Sequence, residues 1–281
     1  MYFLFVVITD PAVWNRYTVE KLRTELAARN LSQNGLKATL INRLQANITA
    51  GGPGILEISG STFAITDRRF ITCHHNIFDQ HRNMNITTVA ICTAIIKTGS
   101  SITPHPAHPV MYGDLHIFDA QLDYAIFNLQ PAFPNLTPIP VCPVPSLPTA
   151  GFPSLTCYYG AVGDFIVAEL RNLAIWRAGP YSILQYGETS ATDPPDCKLL
   201  TEYGLCRGSS GGAMVTNGYV VAMHLASCNQ GRYIFKHVKG SSLTTEQMSA
   251  SLTDMQEIYS ALKEGLVLCR IPQIMDAIAN P

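Results

Sequence analysis

The sequence predicts a mainly β protein with short helical parts near both ends, and three observations carry this prediction. From residue 55 onward, short runs rich in Val, Ile, Thr and aromatic residues alternate with turn residues, as in antiparallel strands. The stretch 131–153 holds eight prolines, which exclude central strands and mark a connector between two groups of strands. Residues 17–46 instead repeat apolar residues at helical spacing. Two groups of strands around a connector favour two small antiparallel barrels or a sandwich.

The composition describes a folded chain with an ample hydrophobic core. Of the 281 residues, 47% are hydrophobic and 14% are charged, and the net charge is −1. These values exclude a disordered chain and any overall attraction to nucleic acid or to an anionic membrane. The eight cysteines include no CxxC pair and no Cys/His ligand set, so we expect neither a bound metal nor a cofactor.

The N-terminal segment, residues 1–16, contains the apolar run 2–8. This run is too short to span a bilayer, and no Lys or Arg precedes it as in a secretory signal. We expect a buried or docking segment, no membrane association and an intracellular protein.

Residues 17–46 predict two short helices joined by a turn. Thr18 suits the N-cap of the first helix, and a second apolar stripe follows the turn at 30–35. The pattern resembles a SAP domain, a small helical module that binds DNA in its family. The residues that carry the resemblance are Leu22, Leu26, Arg29, Leu31, Gly35, Lys37, Leu40, Arg43 and Leu44.

The resemblance to a SAP domain makes five basic side chains the candidate DNA contacts. A DNA-binding role in turn implies a nuclear location. The basic residues give the stretch a charge of +3, which supports weak and salt-sensitive contacts with phosphates. The alternative is a hairpin that binds a protein or caps the neighbouring domain, because so small a module is only marginally stable alone. The candidate residues are Lys21, Arg23, Arg29, Lys37 and Arg43.

The remaining chain divides at a glycine-rich stretch. Residues 47–54 contain three glycines and a proline, which predict a flexible linker. The main domain then spans 55–242. Its strand patterns lie at 58–65, 69–75, 86–97, 123–129, 155–159, 165–177, 181–186, 213–225 and 232–238. Residues 243–281 predict a helical tail, because apolar residues such as Met255 and Ile258 recur at helical spacing.

The main domain contains side chains suited to the three roles of nucleophilic catalysis. Ser210 stands in a loop with Gly208, and glycines let backbone amides turn inward towards an oxyanion. The adjacent His74 and His75 end a strand, and Asp123 opens an apolar strand, where a carboxylate is costly to bury. A base, an orienting carboxylate and a nucleophile in this order predict a catalytic triad.

The same segments resemble a trypsin/chymotrypsin-fold serine peptidase over roughly residues 55–240. The motifs that carry the resemblance are Gly60–Phe63 with Ile71–His75, Asp123–Ile126 and Gly208–Gly212. The first motif selects His75 over His74, and the last selects Ser210 over Ser209.

This resemblance implies two six-stranded antiparallel barrels and a serine endopeptidase that works on a protein or peptide substrate through an acyl-enzyme. Ser210 is then the nucleophile, His75 the general base and acid, and Asp123 the group that orients His75. The backbone amides of Gly208 and Ser210 are the implied oxyanion donors.

Specificity is expected to differ from that of digestive trypsins. No cysteine follows His75, and Gly204 stands where trypsin has the aspartate that selects Lys or Arg. His224, 14 residues after Ser210, falls where glutamyl endopeptidases and picornaviral processing proteases have a pocket histidine that recognises Glu or Gln. Leu205 departs from the threonine that picornaviral relatives place there.

Other interpretations are open at this point. GSSGG also fits the nucleophile elbow of α/β-hydrolases, but that fold needs a histidine after the acid, and none follows Asp254. The chain could be a SAP-type adaptor on an inactive peptidase, or a virus-type peptidase released from a polyprotein. The sequence leaves the oligomeric state undetermined.

Overall fold

The computed structural model describes residues 1–281 except 51, 53, 81–82, 99–100, 144–152, 160–164, 176–182, 186–197, 203–208, 228–232 and 236–261. The backbone alone is described at 97–98, 101, 153–159, 165–175, 183–185, 198–202, 226–227, 233–235 and 262–264.

The N-terminal half is built on ten strands. They are β1 (Tyr2–Ile8), β2 (Ile55–Ala64), β3 (Arg69–Thr72), β4 (Phe78–Asp79), β5 (Met84–Asn85), β6 (Thr88–Cys92), β7 (Ile95–Thr98), β8 (Ser101–Pro104), β9 (Met111–Asp119) and β10 (Tyr124–Leu129). Six of them close into an antiparallel barrel in the order β1-β2-β3-β10-β9-β6. The pairs β4–β5 and β7–β8 form small hairpins outside the barrel.

The barrel interior is filled by alternate apolar residues of its strands, as a small closed barrel requires. Leu4, Phe70, Ile91 and Phe127 are fully buried there, and the rings of Phe70 and Phe127 stack with centroids 5.5 Å apart. Gly113 lies against Phe70, where a Cβ atom would come within 2.5 Å of the ring.

The helical module connects two paired strands of this barrel. It comprises α1 (Pro11–Trp14), α2 (Val19–Ala27) and α3 (Lys37–Thr49). Strands β1 and β2 pair from Tyr2↔Thr62 to Ile8↔Ile55, so the module is inserted between the two strands. Thr18 Oγ1 caps α2 by accepting a hydrogen bond from the Lys21 amide at 3.1 Å, as the sequence predicts.

The module packs on the barrel through one continuous apolar cluster. Trp14, Leu22 and Leu44 are fully buried, and they share a cluster with Ile8 of β1 and Ile55 of β2. The division predicted from the sequence therefore differs from the structure, because residues 2–8 form a barrel strand and residues 47–49 belong to α3. The expected helical hairpin is present, but it is not a tethered appendage.

Among the described residues, eight further strands follow the Pro-rich connector. They are β11 (Pro153–Tyr159), β12 (Phe165–Ile175), β13 (Ile183–Gln185), β14 (Lys198–Glu202), β15 (Ala213–Thr216), β16 (Tyr219–Ser227), β17 (Tyr233–Phe235) and β18 (Leu262–Leu266). Antiparallel pairing follows the order β11-β12-β14-β18-β16-β15, and β15 pairs with β11. Strands β15 and β16 meet at Asn217 and Gly218, whose φ values of 52° and 82° are those of the predicted hairpin turn.

The C-terminal residues correct one prediction. Leu262–Leu266 was expected to be helical, but it forms β18 and pairs with both β14 and β16. The strand is favoured because it is hydrogen-bonded to a neighbour on each side. A helix of only five residues is too short to be stable without such contacts. A 3-10 helix at Leu268–Arg270 and the helix α4 (Pro272–Ala279) follow.

The two groups of strands share a hydrophobic cluster. Ile71 and Leu122 of the barrel side pack with Met223, Leu266 and Ile274 of the C-terminal side. Within the part of the chain that is described, no helix has the length and apolar character needed to cross a membrane.

Candidate active site

His75 and Asp123 are joined by two hydrogen bonds at the edge of the barrel. His75 lies in a 3-10 helix, His74–Asn76, directly after β3, and Asp123 directly precedes β10. The His75 amide donates to Asp123 Oδ1 at 2.9 Å, and His75 Nδ1 lies 2.7 Å from Asp123 Oδ2. The carboxylate thus favours the tautomer with the proton on Nδ1 and leaves Nε2 as the acceptor.

The backbone of Asp123 is unusual, since its φ is +60°. Few residues other than glycine adopt this conformation, although aspartate tolerates it better than most. The conformation turns the carboxylate back towards both the amide and the ring of His75. The imidazole stays accessible, with 43% of the side chain exposed against 24% for Asp123.

His74 has a structural environment. It is buried, its Nε2 lies 2.7 Å from Asn85 Oδ1, and its ring stacks on Phe118 with centroids 5.1 Å apart. Of the two neighbouring histidines, His75 is therefore the one with an accessible ring held by a carboxylate.

The backbone of Ser210 is hydrogen-bonded to β2 and to the 3-10 helix that carries His75. Its carbonyl oxygen accepts hydrogen bonds from the Ser61 amide at 3.0 Å and from Asn76 Nδ2 at 3.1 Å. In the described residues, no hydrogen bond joins the side chains of Ser210 and His75. Catalytic hydrogen bonds are often long in unliganded sites and shorten when substrate binds.

The glycine after Ser210 is required by space and by backbone conformation. Gly211 has φ +85°, and a Cβ atom there would lie 2.1 Å from the carbonyl oxygen of Ser61. The amide of Gly211 donates to the carbonyl of His224 at 2.8 Å, and the amide of Gly212 donates to that of Ser209 at 2.8 Å. The loop is thus fixed to β2 on one side and to β16 on the other.

His224 is buried in β16 beside this loop, with 2% of its surface exposed. Its amide donates to the Gly212 carbonyl at 2.8 Å, and its carbonyl accepts from Cys73 Sγ at 3.2 Å. The other expected specificity residues, Gly204 and Leu205, lie outside the described residues, as does the expected oxyanion donor Gly208.

Cys73 lies behind the histidine–aspartate pair. Its sulfur, a ring nitrogen of His75 and a carboxylate oxygen of Asp123 lie within 4.8 Å of one another, so these three residues have the donor types of a metal site. A metal ion bound to His75 Nδ1 would displace the hydrogen bond between this nitrogen and Asp123 Oδ2, which instead suits the orientation of a general base.

A cavity of about 340 Å³ opens beside His75 and is partly walled by the helical module. Its lining includes His75, two residues of β2 and two residues of the helical module, namely Glu57, Ser59, Val13 and Arg16. The cavity is large enough for a substrate side chain next to the imidazole.

Four of the five candidate DNA contacts are bonded within the module or to β2. Lys21 pairs with Glu57 at 2.8 Å, and Arg29 pairs with Glu25 at 2.7 Å. Lys37 Nζ donates to a carbonyl at 2.6 Å, and Arg43 donates to two carbonyls of the interhelical turn. Arg23 is exposed, with no contact described.

Sequence reasoning missed Asn76, Ser61 and Arg16 as parts of this region. Ser61 lies within the Gly60–Phe63 motif but had no role assigned, Asn76 belongs to no motif, and only the fold brings them to Ser210. The position of Arg16 could not be inferred without knowing that the module is inserted between β1 and β2.

Comparison with known proteins identifies the N-terminal module and the fold. The family model of the SAP domain matches residues 14–49, so the chain carries an N-terminal SAP domain. No sequence match among curated proteins was found.

Several solved protease structures are similar to this chain at low sequence identity. The Rv3671c protease from M. tuberculosis, in its active form, is 17% identical, with 71% of this chain and 74% of that chain covered and a TM-score of 0.43. The MamO protease domain from Magnetospirillum magneticum is 15% identical, with 62% and 82% covered and a TM-score of 0.42. The HtrA-type protease AlgW, solved with a decapeptide, is 11% identical, with 81% and 54% covered and a TM-score of 0.50.

The likeness to the HtrA-type protease shows that this chain has the β-barrel fold of trypsin-like serine protease domains. The chain therefore combines the fold of trypsin-like serine protease domains with a SAP domain. In this chain the SAP helices lie between the first two strands of the barrel.

Proposed function

We propose that the chain is a serine endopeptidase with the triad His75, Asp123 and Ser210. The observation that carries the proposal is the pair of hydrogen bonds that Asp123 accepts from the amide and the ring of His75. A structural carboxylate at this exposed edge needs no such double contact with a histidine. An orienting carboxylate does, because the base must keep one tautomer and one direction.

The proposed reaction passes through an acyl-enzyme. Ser210 Oγ attacks the carbonyl carbon while His75 Nε2 takes its proton, and the amides of Gly208 and Ser210 hold the oxyanion. His75 then gives the proton to the leaving amine as the C–N bond breaks. Water, deprotonated by the same nitrogen, hydrolyses the ester and restores the Ser210 hydroxyl.

The proposal includes a second barrel built from the strands after the connector. The cyclic pairing of β11, β12, β14, β18, β16 and β15 supports it. The cleft between two barrels would then contain His75 and Asp123 from the first and Ser210 from the second.

A fluorophosphonate probe tests the nucleophile, because an activated serine attacks its phosphorus and displaces fluoride. We expect the wild type to be labelled and Ser210→Ala to be unlabelled. Ser209→Ala is the matched control and keeps its label. A folded wild type that is never labelled contradicts the peptidase proposal and favours an adaptor on an inactive peptidase fold.

We further propose that His224 contributes to a preference for Glu or Gln before the scissile bond. Its backbone is hydrogen-bonded to both Gly211 and Gly212, which supports a place close to the substrate residue bound by Ser210. Peptides that differ only in Glu, Gln, Leu or Lys at this position test the preference. Equal cleavage of the Leu and Glu peptides contradicts it.

The SAP domain supports a second function, binding to duplex DNA. Arg23 is the most accessible of the five candidate contacts. We expect Arg23→Ala to weaken DNA binding and to reduce the dependence of log K on log salt by about one, while Arg23→Lys retains most of the affinity. Absence of binding to any duplex at low salt excludes this function, and the module would then serve only to line the cavity beside His75.

A further inference from the structure

The side chain of Asn76 connects the histidine and serine sides of the candidate site. Asn76 ends the 3-10 helix that carries His75, and only 7% of its surface is exposed. Its Nδ2 donates to the carbonyl oxygen of Ser210 at 3.1 Å and to Thr72 Oγ1 at 3.0 Å. One buried amide group therefore links the residue after His75 to the backbone of Ser210.

The partners determine the orientation of this amide. The Ser210 carbonyl can only accept, so the nitrogen of the Asn76 amide must face it. Thr72 Oγ1 gives its own proton to the Ser61 carbonyl at 2.9 Å, which makes it an acceptor towards Asn76. Exchange of the amide oxygen and nitrogen would place two acceptors, the Asn76 oxygen and the Ser210 carbonyl, against each other. Thr72 could then bond Asn76 only by giving up its bond to the Ser61 carbonyl.

The side chain of Asn76 packs closely against β2. Asn76 lies directly over Gly60, where a Cβ atom would come within 2.4 Å of Nδ2. Ser59 Oγ donates to the backbone carbonyl of Asn76. Asn76 is therefore fixed to β2 on the same side from which the Ser61 amide reaches Ser210.

We propose that Asn76 is a positioning residue, which holds the backbone of Ser210 at a fixed distance from the imidazole of His75. The kinetic consequence rests on the proposed peptidase function, because a displacement of about 1 Å at a reacting group costs on the order of 100-fold in rate. The structural consequence, a fixed Ser210 carbonyl, does not depend on that function.

The test compares Asn76→Asp and Asn76→Ala with wild type. Asp has nearly the same shape as Asn but turns an oxygen towards the Ser210 carbonyl, whereas Ala removes the side chain without adding charge. Asn42→Asp, at an exposed position of α3, is the control for the charge change. Fluorophosphonate labelling gives the inactivation rate constant and the probe affinity separately, and hydrogen exchange reports the Ser61 amide.

We expect both Asn76 variants to lower the inactivation rate constant by about 10- to 100-fold with little change in probe affinity, and Asn42→Asp to match wild type. We also expect faster exchange of the Ser61 amide in Asn76→Ala, beyond any change shared with the rest of the barrel. A loss of labelling in Asp but not in Ala would indicate charge rather than positioning and would overturn the proposal.

The exchange measurement separates this proposal from the peptidase proposal. Absence of labelling in the wild type contradicts the peptidase, while faster Ser61 exchange in Asn76→Ala still supports the fixed Ser210 backbone. Unchanged Ser61 exchange in a folded Asn76→Ala variant overturns the positioning role, whether or not the wild type is labelled.

Discussion

At the scale of single residues, the hydrogen bonds of Asp123 determine what His75 can do. Both oxygens of the carboxylate contact His75, one at the amide and one at the ring. Because the contact to Nδ1 fixes the tautomer, the proposed base is Nε2. The role of the Asp123 carboxylate can therefore be tested by a substitution that keeps the shape of the side chain and removes its charge.

We predict that Asp123→Asn lowers the rate of fluorophosphonate labelling by about 10⁴-fold, because an amide that donates to Nδ1 imposes the wrong tautomer. The measurement is the second-order labelling rate at neutral pH. Asp276→Asn, at an exposed position of α4, is the control and keeps the wild-type rate. Undiminished labelling of Asp123→Asn excludes Asp123 from the triad.

Two glycines with similar φ give a matched prediction about the serine loop. Gly211 and Gly218 have φ +85° and +82°, but a Cβ atom meets the Ser61 carbonyl at 2.1 Å only at Gly211. We expect Gly218→Ala to cost only backbone strain, about 1–2 kcal/mol, and Gly211→Ala to abolish labelling as well. Thermal melting and labelling of both variants measure this, and equal behaviour would contradict a tightly packed loop.

At the scale of elements, the insertion of the helices between β1 and β2 couples their folding to the barrel. Leu44 of α3 is fully buried and belongs to the same cluster as Ile8 and Ile55. Removal of its side chain leaves a cavity that the paired strands cannot close. The helices and the barrel should then unfold together.

We predict that Leu44→Ala lowers the free energy of unfolding by about 2–5 kcal/mol in a single transition. The control is Leu36→Ala in the same module, since Leu36 is 82% exposed and its loss should change stability by less than about 0.5 kcal/mol. Urea unfolding followed by near-UV and far-UV circular dichroism tests this. Separate transitions for helix and barrel signals would argue against the coupling.

The end of the chain also depends on contacts between elements. Arg69 of β3 donates to the carbonyls of Ala277 and Asn280 at the end of α4. This helix belongs to the side of the chain that carries Ser210, whereas Arg69 leads into His75. The contact therefore helps to hold the two sides of the candidate site together.

At the scale of the whole molecule, buried cysteine and tyrosine side chains make the stability of the fold depend on pH in the alkaline range. Burial raises the pKa of Cys92 to about 12 and that of Cys269 to about 11. Burial also raises the pKa of Tyr112 and Tyr124. Each group stays protonated in the folded chain at a pH where the unfolded chain already loses the proton, so stability falls as pH rises above about 9.

We predict that the urea midpoint falls between pH 8 and pH 10.5, and that the fall is smaller in Cys92→Ala than in wild type. Below about pH 8 both states bind these protons, so the midpoint should be insensitive to pH there as far as these groups are concerned. A midpoint that rises with alkaline pH contradicts this account of the buried acids.

The sequence could predict what depends on local pattern. Thr18 and the apolar spacing of Leu22 and Leu26 were enough to predict the helices that match the SAP domain. The order of His75, Asp123 and Ser210 was enough to propose a triad, and of its three members the structure shows hydrogen bonds between His75 and Asp123.

What the sequence could not predict depends on contacts between distant residues. The helical spacing of 243–281 was misleading at β18, because the pairing of Leu262–Leu266 with two strands is decided by the sheet and not by the segment. The same is true of the apolar residues 2–8, whose partners in β2 lie beyond the whole helical module.

The sequence by itself thus determined the SAP helices and the trypsin-like fold and proposed the candidate triad, since motifs and periodicity are local properties. Tertiary structure alone decided that the SAP helices are inserted in the barrel, that Arg16 borders the cavity beside His75, and that Asn76 holds the Ser210 carbonyl. These contacts join residues as much as 134 positions apart. Only the closure of the strands, driven by burial of their apolar faces, brings such residues together.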